Sequence, residues 1–414
     1  MVGTLRKFMA PAGGSGPRDS TGAEGVNGID QQRVPGGQIR VLWLVKGLGP
    51  GGAEQLLLMA AAVVDRARFA YRLAYVRPDK THLVPEFEAL GILPERLGAA
   101  SPRRAAWLAD LRRVMGEVDV VHAHSPVLAS AARLVARTLP PSRRPVVVTT
   151  EHNEWTSHRT PTRLLNGLTA PLDAHHWAVS DQVKDTVWRS RRQGYEVLIH
   201  GIDPQAVRPD QAVRARVRSE LGLAGDEVLS LTVANLRRNK DYPNLLKAAR
   251  AALDTEPRLR FAAVGQGPLA DEVAALHATL GLGDRFQLLG YRRDVHDLMA
   301  AADVFTLSSA HEGLPVAVME AFANGLPVVA TAVGGLPQQV VRGEQGMLVP
   351  PGDSAALADA LVIVARDPVL RTRMGTAALA RAADYDIRRA VAAQERTYAA
   401  LAGGRAEARG RGDH

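Results

Sequence analysis

The chain has 414 residues, a formal net charge of +8 and no cysteine. That length is more than one core fills well and is comfortable for two α/β domains, while the missing cysteine excludes disulfides and thiolate metal sites. The positive charge is spread through arginine-rich helices with no aromatic-interleaved or groove-reading motif, so nucleic acid is not an expected partner, and no apolar run is long enough to span a bilayer.

Residues 1–37 are rich in Gly, Pro, Ser and Asp, with almost no apolar periodicity and no apolar signal core. They are expected to be a disordered tail on a cytoplasmic protein. The first strand is predicted at 41–45, a continuous apolar run of the kind that a parallel sheet buries on both faces. Gly47, Gly49, Gly51 and Gly52 then let the backbone approach a ligand closely, and the helix beginning near Ala53 points free N–H groups at an anion. The same glycines also suit any tight strand-to-helix turn. A strand at 71–76 follows, then a helix over 103–115 made basic by Arg103, Arg104, Arg112 and Arg113. That helix could touch anionic lipid, or be an ordinary solvated helix with one buried stripe. Residues 118–124 form a strand whose His122 and His124 point to one side, and Ser125-Pro126 stops it. Ligands of doubly wound sheets bind beyond the carboxyl ends of strands, which favours His124. The strand at 145–150 ends in a polar cluster of Glu151, His152 and Asn153.

The pattern restarts after a link near 204–209. A strand at 229–234 runs into Asn235-Leu236-Arg237-Arg238-Asn239-Lys240-Asp241, whose cations beyond a strand end can neutralise an anion or simply form a basic surface loop. A strand at 259–264 meets the Gly265-Gln266-Gly267-Pro268 turn, and residues 286–292 carry Tyr291. The stretch His311-Glu312-Gly313-Leu314-Pro315, continuing to Glu320, puts one carboxylate in a loop and a second inside an apolar helix. Pro315 suits the helix start and Gly325 its exit. Glu320, flanked by Val318, Met319, Ala321 and Phe322, either sits on a wet face or needs a polar partner such as a polyhydroxylated ligand. The stretch 328–337 supplies another close approach, and 346–353 closes the sheet. A last helix, 387–402, is expected to pack back on the first domain, with 403–414 a second disordered tail. Asp384 and Asp386 have Asp-x-Asp spacing at a helix start and are read as structural.

Taken together, Glu312 and Glu320 with their neighbours resemble the Glu-x7-Glu signature of the retaining nucleotide-sugar glycosyltransferases of family 4, and the resemblance runs from about Val41 to Tyr398. It implies the GT-B fold: α/β, two Rossmann-like doubly wound domains facing an interdomain cleft. The N-terminal domain, 38–205, would take the acceptor and the C-terminal domain, 206–386, the donor. By the same resemblance Glu312 reaches the donor sugar hydroxyls and Glu320 the nucleotide ribose. Gly51 and Gly52 face the donor diphosphate, and Lys240 holds it. His124 sits at the transfer site and His152 on the acceptor side. Gly265, Tyr291, Gly313, Leu314 and Pro315 approach the donor. The chain departs from the family at Asn235, where an arginine is usual, leaving Arg237 as the candidate replacement. It departs again at His200, where asparagine is usual, and at Gln338, where glutamate is frequent.

The expected reaction is transfer of a sugar from a nucleoside diphosphate to an acceptor hydroxyl with retention, in polysaccharide or glycoconjugate synthesis. No cofactor or metal is required by these residues. The acceptor would be a saccharide, a lipid-linked compound or a small molecule, with peripheral contact at the inner membrane face one option. A GT-B-fold nucleotide-sugar epimerase and a noncatalytic nucleotide-sugar binding protein are the alternatives. A nicotinamide oxidoreductase is disfavoured, because the first glycine turn does not spell Gly-x-Gly-x-x-Gly.

Overall fold

The structure is a computed structural model that describes residues 37–49, 51–100, 105–204 and 210–410, with side chains to residue 404. The predicted N-terminal tail apart from residue 37, Arg103 and Arg104, the link at 205–209 and the last four residues lie outside the described residues.

Among the described residues thirteen strands form two wholly parallel sheets. The first contains β1 (Ile39–Val45), β2 (Phe69–Tyr75), β3 (Pro94–Arg96), β4 (Val120–Ala123), β5 (Val146–Glu151), β6 (His175–Ala178) and β7 (Tyr195–Val197), in the order β3-β2-β1-β4-β5-β6-β7. The second contains β8 (Val228–Val233), β9 (Leu259–Val264), β10 (Phe286–Gly290), β11 (Val304–Leu307), β12 (Val328–Thr331) and β13 (Gly346–Val349), in the order β10-β9-β8-β11-β12-β13. The central strands read as near-continuous apolar runs because helices cover both faces of each sheet. Val41, Leu42, Leu44, Val120 and Val121 in the first sheet, and Leu231, Val304, Phe305, Val328 and Val329 in the second, are fully buried.

The helices that matter below are α1 (Gly52–Ala61), α2 (Ala106–Met115), α3 (Pro126–Arg137), α4 (Thr160–Thr169), α5 (Asp181–Thr186), α6 (Val295–Ala301), α7 (Val316–Ala323) and α8 (Ile387–Gly410). The basic helix read at 103–115 appears as α2. Its Leu111, Val114 and Met115 are buried, and its Arg113 pairs with Glu95 and Glu117 while Arg112 binds Thr138. Of its larger apolar side chains only Leu108, at 36%, is exposed among the described residues, which favours the ordinary solvated helix of the two readings.

The chain crosses between the sheets twice, and the two crossings are tied together. Ile202 bridges Asp386, Arg388 pairs with Asp203 at 3.1 Å, and a Cβ on Gly201 would lie 2.1 Å from the Tyr385 carbonyl oxygen. Past this crossing α8 packs back on the first sheet. Its Glu395 accepts from Tyr71 Oη at 3.0 Å and from the Asp65 backbone N–H at 2.8 Å, and Tyr398 is fully buried against His122. The helix continues to Gly410, so residues 403–410 are helical where a disordered tail was expected. The Ala, Glu and Arg residues beyond the glycine pair are good helix formers and offset its cost. Asp384 and Asp386 are held by Arg381 and Arg388.

Candidate active site

In both sheets strand order reverses next to the first strand, between β1 and β4 and between β8 and β11. Helices leave on opposite faces at such a point, and a crevice opens beyond the carboxyl ends of the strands. Here the two crevices meet in one cleft of about 790 Å³ lined from both halves. It is lined by Gly51, Gly52, His124, His152, Arg237, Lys240, Gly265, Tyr291, Glu312, Gly313, Leu314, Pro315 and Glu320, whereas Gly47 and Gly49, also read as a close approach to ligand, are not in its lining.

Lys240 follows β8 in a single 3-10 turn, which ends at Asp241 in the left-handed region (φ 46) with its side chain capping the next helix at Asn244 N. Ser308 Oγ donates to the carbonyls of Lys240 and Asp241 at 2.9 and 3.1 Å and fixes the turn against β11. Lys240 Nζ thereby reaches Glu312 Oε1 at 2.5 Å, and Ser309 Oγ donates to the same oxygen at 2.5 Å. Both partners are mostly buried, with side-chain exposures of 19% and 8%. Such a pair holds its charges in fixed geometry at the cleft wall.

Pro315 is the N-cap of α7 and Gly325, at φ +68, follows its end, as the sequence suggested. Glu320 lies on the cleft side of an otherwise apolar helix, and among the described residues its carboxylate accepts no side-chain hydrogen bond. Burial pushes its carboxyl above the usual range, while neighbouring His296 pulls the other way. His296 Nδ1 is itself buried without a partner among the described residues. A half-buried carboxylate without a side-chain partner and a buried imidazole nitrogen without one, among the described residues, are groups on the cleft that a polar ligand would complete.

On the opposite wall His124 Nδ1 and His152 Nε2 lie 3.1 Å apart, and the His152 ring stacks on His200 with centroids 5.5 Å apart. Burial, reinforced by neighbouring imidazoles, drives the pKa of His124 and His152 well down, and burial takes His200 to about 4. These rings are therefore neutral at pH 7. His122, the other histidine of the pair, is not at the cleft but locked in the core between Tyr398 Oη at 2.5 Å and Thr150 Oγ1 at 2.7 Å.

Glycine is required at two close approaches beside the cleft, the first of them between the halves. A Cβ on Gly313 would lie 2.0 Å from the His152 carbonyl oxygen, and one on Gly334 would lie 2.1 Å from that of Glu312. Gly52 faces Val316 of α7, and Gln338 exchanges hydrogen bonds with Asp181 at the start of α5. Gly265 has a packing reason independent of any ligand, because a Cβ there would lie 1.9 Å from Ala234 O.

Several cleft residues escaped the sequence reading. Lys46 and Lys80 follow β1 and β2, Arg292 and Arg293 follow β10, and all line the cleft. The carboxyl-end rule applied to every strand would have found them; His296, on a helix without a motif, gave no signal. Glu54, in the first turn of α1, folds back over Gly51. Its carboxyl is raised by burial and drawn back by its own backbone N–H and by Lys80, Arg237 and Lys46. Arg237, standing two residues past Asn235, makes no ion pair among the described residues, so its guanidinium is available to the cleft. Lys46 and Lys80 from the first half and Arg237 and Lys240 from the second thus bring four cations to the cleft.

The comparisons agree with this geometry. The family model described as Glycosyltransferase Family 4 matches residues 50–206, and the one described as Glycosyl transferases group 1 matches residues 213–381. The D-inositol 3-phosphate glycosyltransferase 1 of Catenulispora acidiphila is 29% identical over 398 residues, covering 86% of this chain and 94% of the relative. That of Streptomyces avermitilis is 34% identical over 220 residues, about half of each chain (50% and 47%). The crystal structure of Anabaena Alr3699/HepE with UDP and glucose superimposes with a TM-score of 0.79 over 88% of this chain and all of that one, at 21% identity. Two family models laid end to end across the two sheets, with a relative matched along nearly its whole length, identify the chain as a glycosyltransferase of the family 4 type, built on the GT-B fold.

Proposed function

We propose that the enzyme is a retaining transferase that moves a sugar from a nucleoside diphosphate to an acceptor hydroxyl, without a metal. The observation that carries this reading is the convergence of Lys240 and Arg237, from the end of β8, with Glu312 and Glu320, from beyond the end of β11, on one cleft. A nucleotide sugar has a part for each: a ribose diol for the unsatisfied Glu320, sugar hydroxyls for Glu312, and a dianionic diphosphate for Lys240 and Arg237. That the HepE structure holds UDP and glucose supports a donor of this class here.

In the reaction the bond from the anomeric carbon to the diphosphate oxygen breaks, and the acceptor oxygen forms the new bond on the same face. The acceptor proton passes to the departing phosphate. Charge develops mainly on that phosphate, so fixed cations there stabilise the transition state more than the ground state. Lys240 is held for this role by Glu312, and Arg237 supplements it in place of the arginine that the family carries at Asn235. Neutral His124, oriented through Nδ1 by His152, borders the acceptor's approach. Retention is carried over from the family resemblance of the Glu-x7-Glu stretch. Closure of the two halves around the donor would exclude water.

The test is incubation with a panel of nucleotide sugars and mass spectrometry of the products. The proposal expects slow hydrolysis of one donor class to free sugar and nucleoside diphosphate. Release of an epimerised sugar, or binding without any turnover, would overturn it.

A further inference from the structure

Helix α4 is built inside out. Its buried residues are Asn166, Gly167 and Thr169, while Leu164, Leu165 and Leu168 face solvent at 48%, 43% and 71% exposure. Positions 164, 165 and 168 fall on one stripe of a helix, so the leucines form a continuous apolar ridge rather than isolated exposures.

The polar face is not buried by accident. Arg133 of α3, fully buried, forks onto Asp173 at 2.6 and 2.7 Å and donates to Asn166 Oδ1 at 2.7 Å and Thr169 Oγ1 at 3.0 Å. Asn166 Nδ2 in turn donates to buried Glu151 at 2.6 Å, and Gly167 admits the Trp188 ring, which a Cβ would meet at 2.3 Å. These contacts fix the rotation of α4 and leave the leucines outward. The ridge continues on α3, where Leu134 and Val127 are 48% and 46% exposed on one face of that helix.

The surroundings are basic. Arg137, Arg143, Arg159 and Arg163 on and beside α3 and α4 have no acidic partner among the described residues. Arg159 and Thr162 at the start of α4, and Val127 at the start of α3, also line the cleft. An apolar ridge rimmed by free arginines matches a membrane interface, where leucines enter the acyl boundary and arginines meet anionic headgroups. A second copy of this chain fits poorly, since a two-fold contact would set one arginine rim against another.

We propose that α4, with the adjoining face of α3, docks the enzyme on an anionic lipid bilayer, with the mouth of the cleft beside the headgroups. This rests on exposure and charge alone. Its corollary, that the acceptor hydroxyl belongs to a lipid-linked compound, rests in addition on the transfer reaction proposed above.

The test is flotation of the full chain with vesicles of phosphatidylcholine and phosphatidylglycerol, and with phosphatidylcholine alone. The proposal expects binding to the anionic vesicles that falls at least about tenfold without phosphatidylglycerol or in 0.5 M salt. The variant Leu164→Ser/Leu165→Ser/Leu168→Ser should lose at least about tenfold in partitioning. Leu168→Ser alone, at the most exposed position, gives a milder loss with the least risk to folding. The charge variant Arg137→Glu/Arg163→Glu should lose binding, and Arg112→Glu on α2 should not. Equal binding of the wild type and the triple variant would overturn the proposal. So would a wild type that ignores vesicles and is a dimer by light scattering while the triple variant is a monomer, since the ridge would then join two copies. Because flotation measures no turnover, failure here leaves the transferase reading standing.

Discussion

Lys240 Nζ and Glu312 Oε1 lie 2.5 Å apart across the switch point of the second sheet, one delivered by the turn after β8 and the other by the loop after β11. The pair places a cation at the cleft with little freedom to move. Its value is in preorganisation, since Ser309 fixes the carboxylate and the carboxylate holds the ammonium where phosphate charge would develop.

Lys240→Ala should therefore lower kcat at saturating donor by about a hundredfold or more, in line with the ~3 kcal/mol typical of one lost charge-stabilising contact. Steady-state kinetics on the donor found by the panel checks this. Near-normal turnover would remove Lys240 from the mechanism.

Glu320 is raised by burial above its ordinary value of 4.5. The folded state therefore keeps a proton that the unfolded chain releases, so the contribution of this one group is fully present below pH 4.5 and is lost as pH rises through the folded pKa. Glu320→Gln should relieve this cost and stabilise the ligand-free protein at pH 7 by about 1 kcal/mol. Calorimetric melting at pH 7 and pH 4.5 should show the gain at the higher pH only.

The histidines act in the opposite sense. His200 falls from an ordinary 6.5 to about 4, and His122, His124 and His152 fall in the same direction, all led by burial. The unfolded chain takes up protons first as pH drops, so stability is intact above pH 6.5 and is lost between 6.5 and about 4. For His200 alone the loss is on the order of 3 kcal/mol. His200→Asn should flatten this part of the curve of unfolding free energy against pH, measured by urea titration.

Gly313 meets the His152 carbonyl so closely that Gly313→Ala must push the two halves apart or tilt the Glu312 loop. Displacing that loop by about 1 Å can cost about a hundredfold in turnover. The variant should lose kcat/KM on that scale and keep its far-UV circular dichroism; unchanged kinetics would mean that the contact does not govern the site.

Chelation separates the cation wall from a metal. With Lys240 and Arg237 meeting the phosphate charge, turnover in excess EDTA should equal that in buffer. A loss restored by a divalent ion would show that these side chains are insufficient.

Much of the fold was legible because parallel strands buried on both faces spell apolar runs, and because the carboxyl ends of those runs carry the polar clusters. His124, His152 and Lys240 were placed at the cleft this way, and Glu312 by its resemblance to the Glu-x7-Glu stretch. Arg237 was harder to read: it was the candidate for a cation missing two residues earlier, and only the structure puts it on the cleft. His296 was invisible because its role comes from standing opposite Glu320, a long-range relationship. Helix α4 was harder still. An i, i+3, i+4 apolar stripe normally marks the face toward the core, and here the buried Arg133 network turns that face outward. The extension of α8 beyond Gly403 was missed because two adjacent glycines read as a stop, whereas the residues after them favour helix.

The central claim is that one cleft clasps a nucleoside diphosphate with the ribose at Glu320 and the phosphates at Lys240 and Arg237. Titration calorimetry with free nucleoside diphosphates against the wild type, Glu320→Gln and Lys240→Ala tests it most directly. The account predicts saturable one-to-one binding of at least one diphosphate by the wild type, weakened about tenfold or more in each variant. Binding of equal strength in all three proteins, or none in the wild type, would contradict it.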